Sequence, residues 1–218
     1  LLYLALQSST PINVTLIGVS MPIWAIVIGA LFYKESSHAK QIIGALISLV
    51  GVSIVIVRGE LERLIEIEFV VGDLYMVLAT ILWGAYSWML SHPKESTERT
   101  WPWSYFLLAQ VGFGFCWSIG FAVTEWQLEY SHFTWSWPTV LMILFVIIGP
   151  SLIAYRCWGL GVNGAGATVA TFFTNLIPLF TAILSTVLLQ NPPELFQGVA
   201  FALILIGIYL SIQKKKRI

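Results

Sequence analysis

Long apolar runs without a charged residue alternate with short polar segments along the whole chain. An α-helix rises about 1.5 Å per residue, so about 20 apolar residues cross the hydrocarbon core of a bilayer. A backbone in lipid has to satisfy its own hydrogen bonds, which favours helices, and these continuous runs do not suit the alternating strands of a β-barrel. The uncharged runs lie at 1–33, 41–57, 74–91, 100–124, 130–155, 157–189 and 195–213.

The pattern predicts an all-α polytopic membrane protein with seven transmembrane helices, called helices one to seven below. Only 10% of the residues are charged and the mean hydropathy is +0.84, whereas an average soluble domain has about 25% charged residues. The composition therefore excludes an ordinary soluble fold. The predicted spans are 11–33, 41–57, 73–91, 103–123, 137–156, 166–189 and 195–212.

The segment 164–213 repeats the segment 8–57 at an offset of 156 residues. Each copy consists of an apolar helix interrupted by a proline, a short polar turn and a second apolar helix. Self-similarity at a fixed offset indicates an internal structural repeat. The matching pairs include Thr15 and Thr171, Pro22 and Pro178, Gln41 and Gln197, Leu49 and Leu205, and Gly51 and Gly207.

The two copies are expected to run in opposite directions across the membrane. Five crossings separate helix one from helix six, and an odd number of crossings reverses the direction. An inverted-topology repeat is the architecture of many secondary transporters. A complete second repeat contains five helices, so the sequence predicts a ten-helix inverted 5+5 arrangement, with three further helices before Leu1.

This arrangement divides the chain into three parts. Residues 1–58 are the end of the first repeat, with two helices and the tail of a third. Residues 59–72 form an external linker, since the stretch from Arg58 to Glu68 is too short and too charged to span the membrane. Residues 73–218 are the second repeat of five helices, followed by a basic cytoplasmic tail.

The polar segments alternate in the sign of their charge. One side of the predicted bundle receives nine Lys or Arg against three Glu, and the other receives two Arg against eight Asp or Glu. The positive-inside rule places the first side, which includes the tail Lys214–Arg217, in the cytoplasm. The expected location is the plasma membrane, the bacterial inner membrane, with a multi-pass chain and a cytoplasmic C-terminus.

Polar and aromatic side chains inside the spans are the candidates for substrate binding, because a polar group facing lipid is costly. The two prolines are candidate helix breaks, since each lacks a backbone N–H. Faces of small residues are equally compatible with close helix packing, and both interpretations stay open. The candidate binding residues are Thr15, Trp83, Tyr86, Gln110, Tyr155, Thr171 and Asn175, and the candidate helix breaks are Pro22 and Pro178.

Several activities are disfavoured by the residues that the spans lack. All three histidines lie in predicted loops, and no Asp, Glu or Lys lies at a predicted membrane centre. A retinal protein needs a buried lysine, and an intramembrane protease needs paired acids or a metal site. We therefore expect no enzyme activity, no catalytic residue, no metal and no cofactor. Any proton coupling within this chain would use Asp73 or Arg156, although Arg156 is better interpreted as a topology charge.

Short motifs in order along the chain resemble the drug/metabolite transporter superfamily, and within it the EamA-type ten-helix permeases. The resemblance implies export or uptake of small organic metabolites by alternating access, with a cavity lined by helices one, three, five and six. The family's Gly-Glu pair at the end of its ninth helix is replaced here by Gln190-Asn191. The motifs are Leu2-Tyr-Leu-Ala-Leu-Gln7, Phe32-Tyr33-Lys34-Glu35, Gln41-Ile-Ile-Gly44-Ala45, Trp158, Asn175-Leu-Ile-Pro178 and Gln197-Gly198.

The predicted function is a secondary transporter, or permease, that moves amino-acid-like or amphipathic solutes. The alternative is a non-transporting seven-helix membrane receptor or scaffold. The expected partners are a small-molecule substrate and the lipid bilayer, with no nucleic acid. A homodimer is compatible with the sequence.

Overall fold

The computed structural model describes residues 1–35, 37–60, 62, 68–92, 102–127, 135–190 and 194–213. It confirms seven helices that are long and apolar enough to cross a membrane. Their bounds are Pro11–Phe32, Ala39–Ile56, Val71–Ser91, Trp103–Thr124, Trp137–Ala165, Ala167–Leu188 and Leu195–Ile212. The predicted basic tail, the turn at 191–193 and residues 61 and 63–67 of the linker lie outside the described residues.

Uninterrupted α-helices form four of the seven spans, and the other three are composite. The short α1 precedes them. The α-helices are α1 (Leu2–Ser8), α2 (Pro11–Gly18), α3 (Met21–Phe32), α4 (Ala39–Ile56), α5 (Val71–Ser91), α6 (Trp103–Gln127), α7 (Trp137–Val146), α8 (Tyr155–Ala165), α9 (Ala167–Phe172), α10 (Ile177–Leu189) and α11 (Leu195–Ile212).

Helices one and six are interrupted just before their prolines. A turn separates α2 from α3, and a 3-10 turn at Phe173–Leu176 separates α9 from α10. Pro22 and Pro178 each lie in the first turn of the segment that follows. A proline is tolerated there because the first N–H groups of a helix have no partner within it. The breaks therefore lie one turn earlier than the prolines themselves.

Helix five is longer than predicted. It consists of α7, a π-helical segment at Ile147–Ala154 that contains Pro150, and α8. The sequence predicted that this helix ends at Arg156, because the charge interrupts the apolar run. That end was wrong, since a helix continues as long as its backbone hydrogen bonds do. Helix five ends at Ala165. The next residue, Gly166, has a φ of +89°, which is unfavourable for a residue with a side chain, and its N–H donates to Val162 O at 2.9 Å.

The helices of the two copies begin at equivalent positions. α2 and α9 begin at Pro11 and Ala167, and α3 and α10 begin at Met21 and Ile177. The 18-residue helices α4 and α11 match at both ends under the same offset. The sequence repeat is thus also a repeat of local structure.

The turns of the two copies match as well. Lys34 and Gln190 both adopt left-handed backbone, with φ of 55° and 56°. The N-caps of α4 and α11 are His38 and Glu194, and the sequence did not predict these residues as caps. The backbone N–H of His38 donates to Gln41 Oε1 at 3.1 Å, and that of Glu194 donates to Gln197 Oε1 at 3.2 Å.

The two long helices α4 and α11 pack closely against each other in antiparallel orientation. An added Cβ at Gly44 would lie 2.6 Å from Gly207 O, and one at Gly51 would lie 2.9 Å from Ala200 O. The offset of 156 residues relates Gly44 to Ala200 and Gly51 to Gly207. It therefore turns the contact of Gly44 with Gly207 into the contact of Ala200 with Gly51. Small residues allow this approach of two backbones, as is usual for helices in a membrane.

The hydrophobic core surrounds this helix pair and includes residues from both interrupted helices. Fully buried Val52, Phe172 and Ile204 belong to it together with Val19 and Ile208. They lie in the first of two compact units, which comprises Leu1–Ser91 and Gly159–Ile218.

The second compact unit comprises His92–Trp158. The side chain of Arg156 lies over the ring of Trp103, with its guanidinium carbon 4.9 Å from the ring centroid. A cation above an indole face is attracted by the ring quadrupole. This contact gives Arg156 a structural role within the second unit.

Candidate functional site

The first unit contains a cavity of about 750 Å³ among α2, α4, α10 and α11. This volume is in the range of small-molecule sites, about 300–1,000 Å³. The cavity adjoins the break of helix six, because Ile177 and Pro178 both line it. Its other apolar lining is Val55, Ala182 and Phe196, and its polar lining is Thr15, Arg58, Thr181, Thr186, Glu194 and Gln197.

Arg58 reaches the cavity because of the way in which α4 ends. Arg58 and Gly59 both have positive φ, 54° and 76°. The N–H of Gly59 donates to Ile54 O at 3.0 Å, which closes the last turn of the helix in the manner of a Schellman motif. An added Cβ at Gly59 would lie 3.2 Å from Phe196 Cβ, so the end of α4 is packed against the first turn of α11.

Glu194 and Gln197 are fixed by the start of α11. The N–H of Gln197 donates to Glu194 O at 3.0 Å, while Gln197 Oε1 accepts from the Glu194 N–H. Since the amide oxygen of Gln197 is used in this cap, its amino group is the part that can donate to a bound molecule. The Glu194 carboxylate supplies acceptors only.

The threonines present acceptors to the cavity. The hydroxyl of Thr15 donates to Pro11 O at 2.7 Å, that of Thr181 to Ile177 O at 3.0 Å, and that of Thr186 to Ala182 O at 3.0 Å. A hydroxyl group has one donor and two lone pairs, so each oxygen keeps acceptor capacity after this bond. The threonines therefore add acceptors to a lining in which Arg58 and Gln197 supply donors.

Two of the residues predicted from the sequence line this cavity, Thr15 and Pro178. Pro22 is fully buried within the first unit. Trp83 and Tyr86 are half-buried on α5, with ring centroids 5.5 Å apart. Their role in substrate binding stays a prediction.

Thr171 and Asn175 lie in the protein interior and are fully buried. The hydroxyl of Thr171 donates to Thr168 O at 2.7 Å, and Asn175 Nδ2 donates to Ser48 Oγ at 2.7 Å. Asn175 Oδ1 is buried and accepts no hydrogen bond from the described residues. The positions equivalent to Asn175 and Ser48 are Val19 and Ile204, which are both apolar and belong to the core.

The bond between Asn175 and Ser48 can be measured by a double-mutant cycle with Asn175→Val and Ser48→Ala. Hydrogen bonds between membrane helices contribute about 0.6 kcal/mol on average and up to about 1.7 kcal/mol. We expect a coupling energy in this range in the free energy of unfolding in detergent. Additive effects of the two substitutions would contradict a direct bond.

Gln110 and Tyr155 belong to the second unit, on α6 and α8. Both side chains are half-buried. The sequence prediction thus grouped residues that the fold distributes over two units, and the cavity of the first unit is described without them.

The sequence missed the structural importance of Trp88. Its side chain is buried, its Nε1–H donates to Ala25 O at 2.6 Å, and its ring stacks on Tyr33 with centroids 4.9 Å apart. An added Cβ at Gly29 would collide with the same ring. The sequence holds one indication of this contact, Gly29, a small residue on the facing helix. Gly29 alone does not show which tryptophan of α5 packs against it.

Asp73, the first residue of the predicted helix three, is buried. It is only 2% exposed and lies in the first turn of α5. Its carboxylate accepts from Ser9 Oγ, from Asn13 Nδ2 at 3.0 Å and from the Val70 N–H at 2.9 Å. The carboxylate therefore ties the start of α5 to the junction of α1 and α2.

The comparison with known families decides the identity of the fold. The profile of the EamA-like transporter family matches residues 1–57 and 70–213, which is most of the chain. The chain belongs to the EamA-like transporter family. This membership confirms the resemblance derived from the motifs.

Relatives of this EamA-like protein are named as transporters, without a stated substrate. An uncharacterized transporter of Archaeoglobus fulgidus is 25% identical over 98% of this chain and 71% of its own length. The uncharacterized transporter YyaM of Bacillus subtilis is 23% identical over 95% of this chain and 66% of its own length. YetK of the same organism is 28% identical, and the alignment covers 84% of this chain and 54% of YetK.

A solved structure, titled only as a crystal structure of a protein, shares the fold. It superposes with a TM-score of 0.68 over 95% of this chain and 68% of its own, at 19% identity. This likeness supports the all-helical membrane fold of the EamA-like chain.

Proposed function

We propose that this EamA-like protein is a secondary transporter that moves small organic metabolites, amino-acid-like or amphipathic solutes, across the membrane by alternating access. The observation that carries the proposal is the position of the cavity. Thr15 comes from interrupted helix one, and Pro178 from interrupted helix six, and both line it. Irregular backbone at membrane depth is tolerated where it is buried or lines a cavity, and transporters bind substrates at such breaks.

The symmetric relation of the two copies supports an inverted 5+5 repeat. The offset of 156 residues maps one close contact of the antiparallel pair α4 and α11 onto the other. This is expected for two helices related by a two-fold axis in the membrane plane. In this proposal the protein lies in the bacterial inner membrane with its C-terminus in the cytoplasm. The division at 1–58, 59–72 and 73–218 belongs to the same proposal.

Uptake into proteoliposomes tests the proposal. Purified protein is reconstituted and tested with radiolabelled amino acids, amines, organic acids and nucleosides, with protein-free liposomes as the control. We expect saturable accumulation of at least one class. Reconstituted, folded protein that moves none of these classes would contradict the proposal and favour the receptor or scaffold alternative.

The cavity is tested on the transported solute with Thr181→Val, which removes a hydroxyl and keeps the shape. A lost hydrogen bond costs about 1 kcal/mol, so we expect about a fivefold loss of uptake rate at low solute concentration. Thr124→Val is the matched control, because the Thr124 hydroxyl makes the same type of bond, to Gly120 O at 2.8 Å, and lies on α6. Equal uptake by both variants would exclude Thr181 from the solute path.

A further inference from the structure

We propose that Arg58 and Glu194 recognise the two opposite charges of a zwitterionic solute in the cavity of the first unit. Arg58 would bind the anionic group, and Glu194 would bind the ammonium group. This inference rests on the proposed function and adds to it the residues that select the solute by charge. It makes two charges at helix ends, neither of them a candidate binding residue in the sequence, into specificity determinants.

The first observation is that two opposite charges share one cavity without neutralising each other. Arg58 and Glu194 both line it, and no ion pair joins these two described side chains. Both are exposed, so each is accessible to a bound molecule. An arginine can bind a carboxylate through two parallel N–H bonds, and a carboxylate is a strong acceptor for an ammonium group.

The second observation is that local structure fixes both positions. The left-handed turn at Arg58 and Gly59 is closed by a backbone hydrogen bond and packed on Phe196. Glu194 is held as the N-cap of α11 through Gln197. Fixed backbone supports favour binding, because the groups of the site then lose little conformational entropy when a ligand binds.

The third observation concerns the rest of the lining. The hydroxyl oxygens of Thr15, Thr181 and Thr186 retain acceptor capacity, which suits a ligand rich in N–H donors. The apolar walls from Val55 and Phe196 suit an apolar body. A small solute with an ammonium group, an anionic group and an apolar side chain uses every part of this lining.

Binding to purified protein in nanodiscs of phosphatidylglycerol tests the inference with three probes of the same shape. L-leucine carries both charges, isopentylamine carries only the ammonium, and 4-methylpentanoate carries only the carboxylate. A charge-assisted hydrogen bond is stronger than a neutral one, so we expect leucine to bind about tenfold more tightly than either analogue. Equal affinities for the three probes would overturn the proposal.

Two substitutions assign the charges separately. Arg58→Gln is expected to remove the preference for leucine over isopentylamine, and Glu194→Gln the preference for leucine over 4-methylpentanoate. Lys34→Gln and Glu35→Gln are the controls, since Lys34 has the same left-handed backbone as Arg58 and neither lines the cavity. Preferences that survive in both cavity variants would overturn the assignment, provided that their melting temperatures match the parent.

The zwitterion could come from a lipid headgroup instead of a soluble solute, and a second nanodisc distinguishes the sources. Phosphatidylethanolamine in the disc is expected to leave the affinity for leucine unchanged if the occupant is soluble. Competition by this lipid that disappears in Arg58→Gln would support the same charge recognition with a lipid as the occupant. If the parent protein does not bind leucine but still transports another solute, this inference is overturned and the proposed function stays intact.

Discussion

Alanine at Gly207 is expected to destabilise the protein by about 3 kcal/mol, the upper part of the range for overpacking a close contact. The added Cβ would lie 2.5 Å from Gly44 O and 2.7 Å from Ser48 Cβ, so α4 and α11 would have to separate. Association of membrane helices depends on close packing at small residues, and a separated pair loses it along the whole contact. Thermal unfolding in detergent measures the effect.

The control for this substitution lies on the same helix. Gly198 of α11 has no atom within 4 Å of an added Cβ, so Gly198→Ala should unfold at the parent temperature or slightly above it, given the higher helix propensity of alanine. Equal losses for the two variants would mean that glycine matters for helix flexibility, and that the contact with α4 does not decide the stability.

Alanine at Trp88 is expected to cost about 3–5 kcal/mol, as is typical for removing a buried aromatic side chain. The substitution empties the space over Gly29, removes the ring stacked on Tyr33 and leaves Ala25 O without the indole donor. These contacts join α3 to α5. Trp88→Phe keeps most of the volume and should therefore lose less than half as much stability.

Trp117→Ala serves as the control for Trp88. Trp117 is 73% exposed on α6, so its removal should change the unfolding temperature little. A loss as large as that of Trp88→Ala would show that exposed aromatic side chains stabilise the protein as much as the buried one does. That result would contradict the packing of α3 on α5 described above.

The spans could be predicted from the sequence because lipid imposes a simple requirement. A helix that crosses the membrane needs a continuous uncharged run, and a run of this kind is visible without knowledge of its neighbours. The end of helix five shows the limit of this reasoning. Arg156 ended the uncharged run, but the helix continues to Ala165, and the backbone turns at Gly166.

The cavity was only partly predictable, since its lining comes from segments that are distant in the sequence. Thr15 was predicted as a polar residue within an apolar helix, and Pro178 as a proline that interrupts one, and both line the cavity. Arg58 was interpreted as a charge of the linker and Glu194 was not a candidate, because nothing in the sequence shows that the end of α4 packs on the start of α11. Asn175 was found as a polar residue in a span, but its bond to Ser48 depends on a contact between two copies of the repeat.

The central claim is that the two copies of the repeat face opposite sides of the membrane, and labelling of an equivalent pair tests it most directly. Lys34 and Gln190 share the left-handed conformation and both are exposed. Each is replaced by cysteine in a protein without Cys116 and Cys157, and intact cells and inside-out vesicles are treated with a membrane-impermeant maleimide. Cysteine at 34 should react only from the cytoplasmic side, and cysteine at 190 only from outside. Reaction of both from the same side would contradict the inverted repeat.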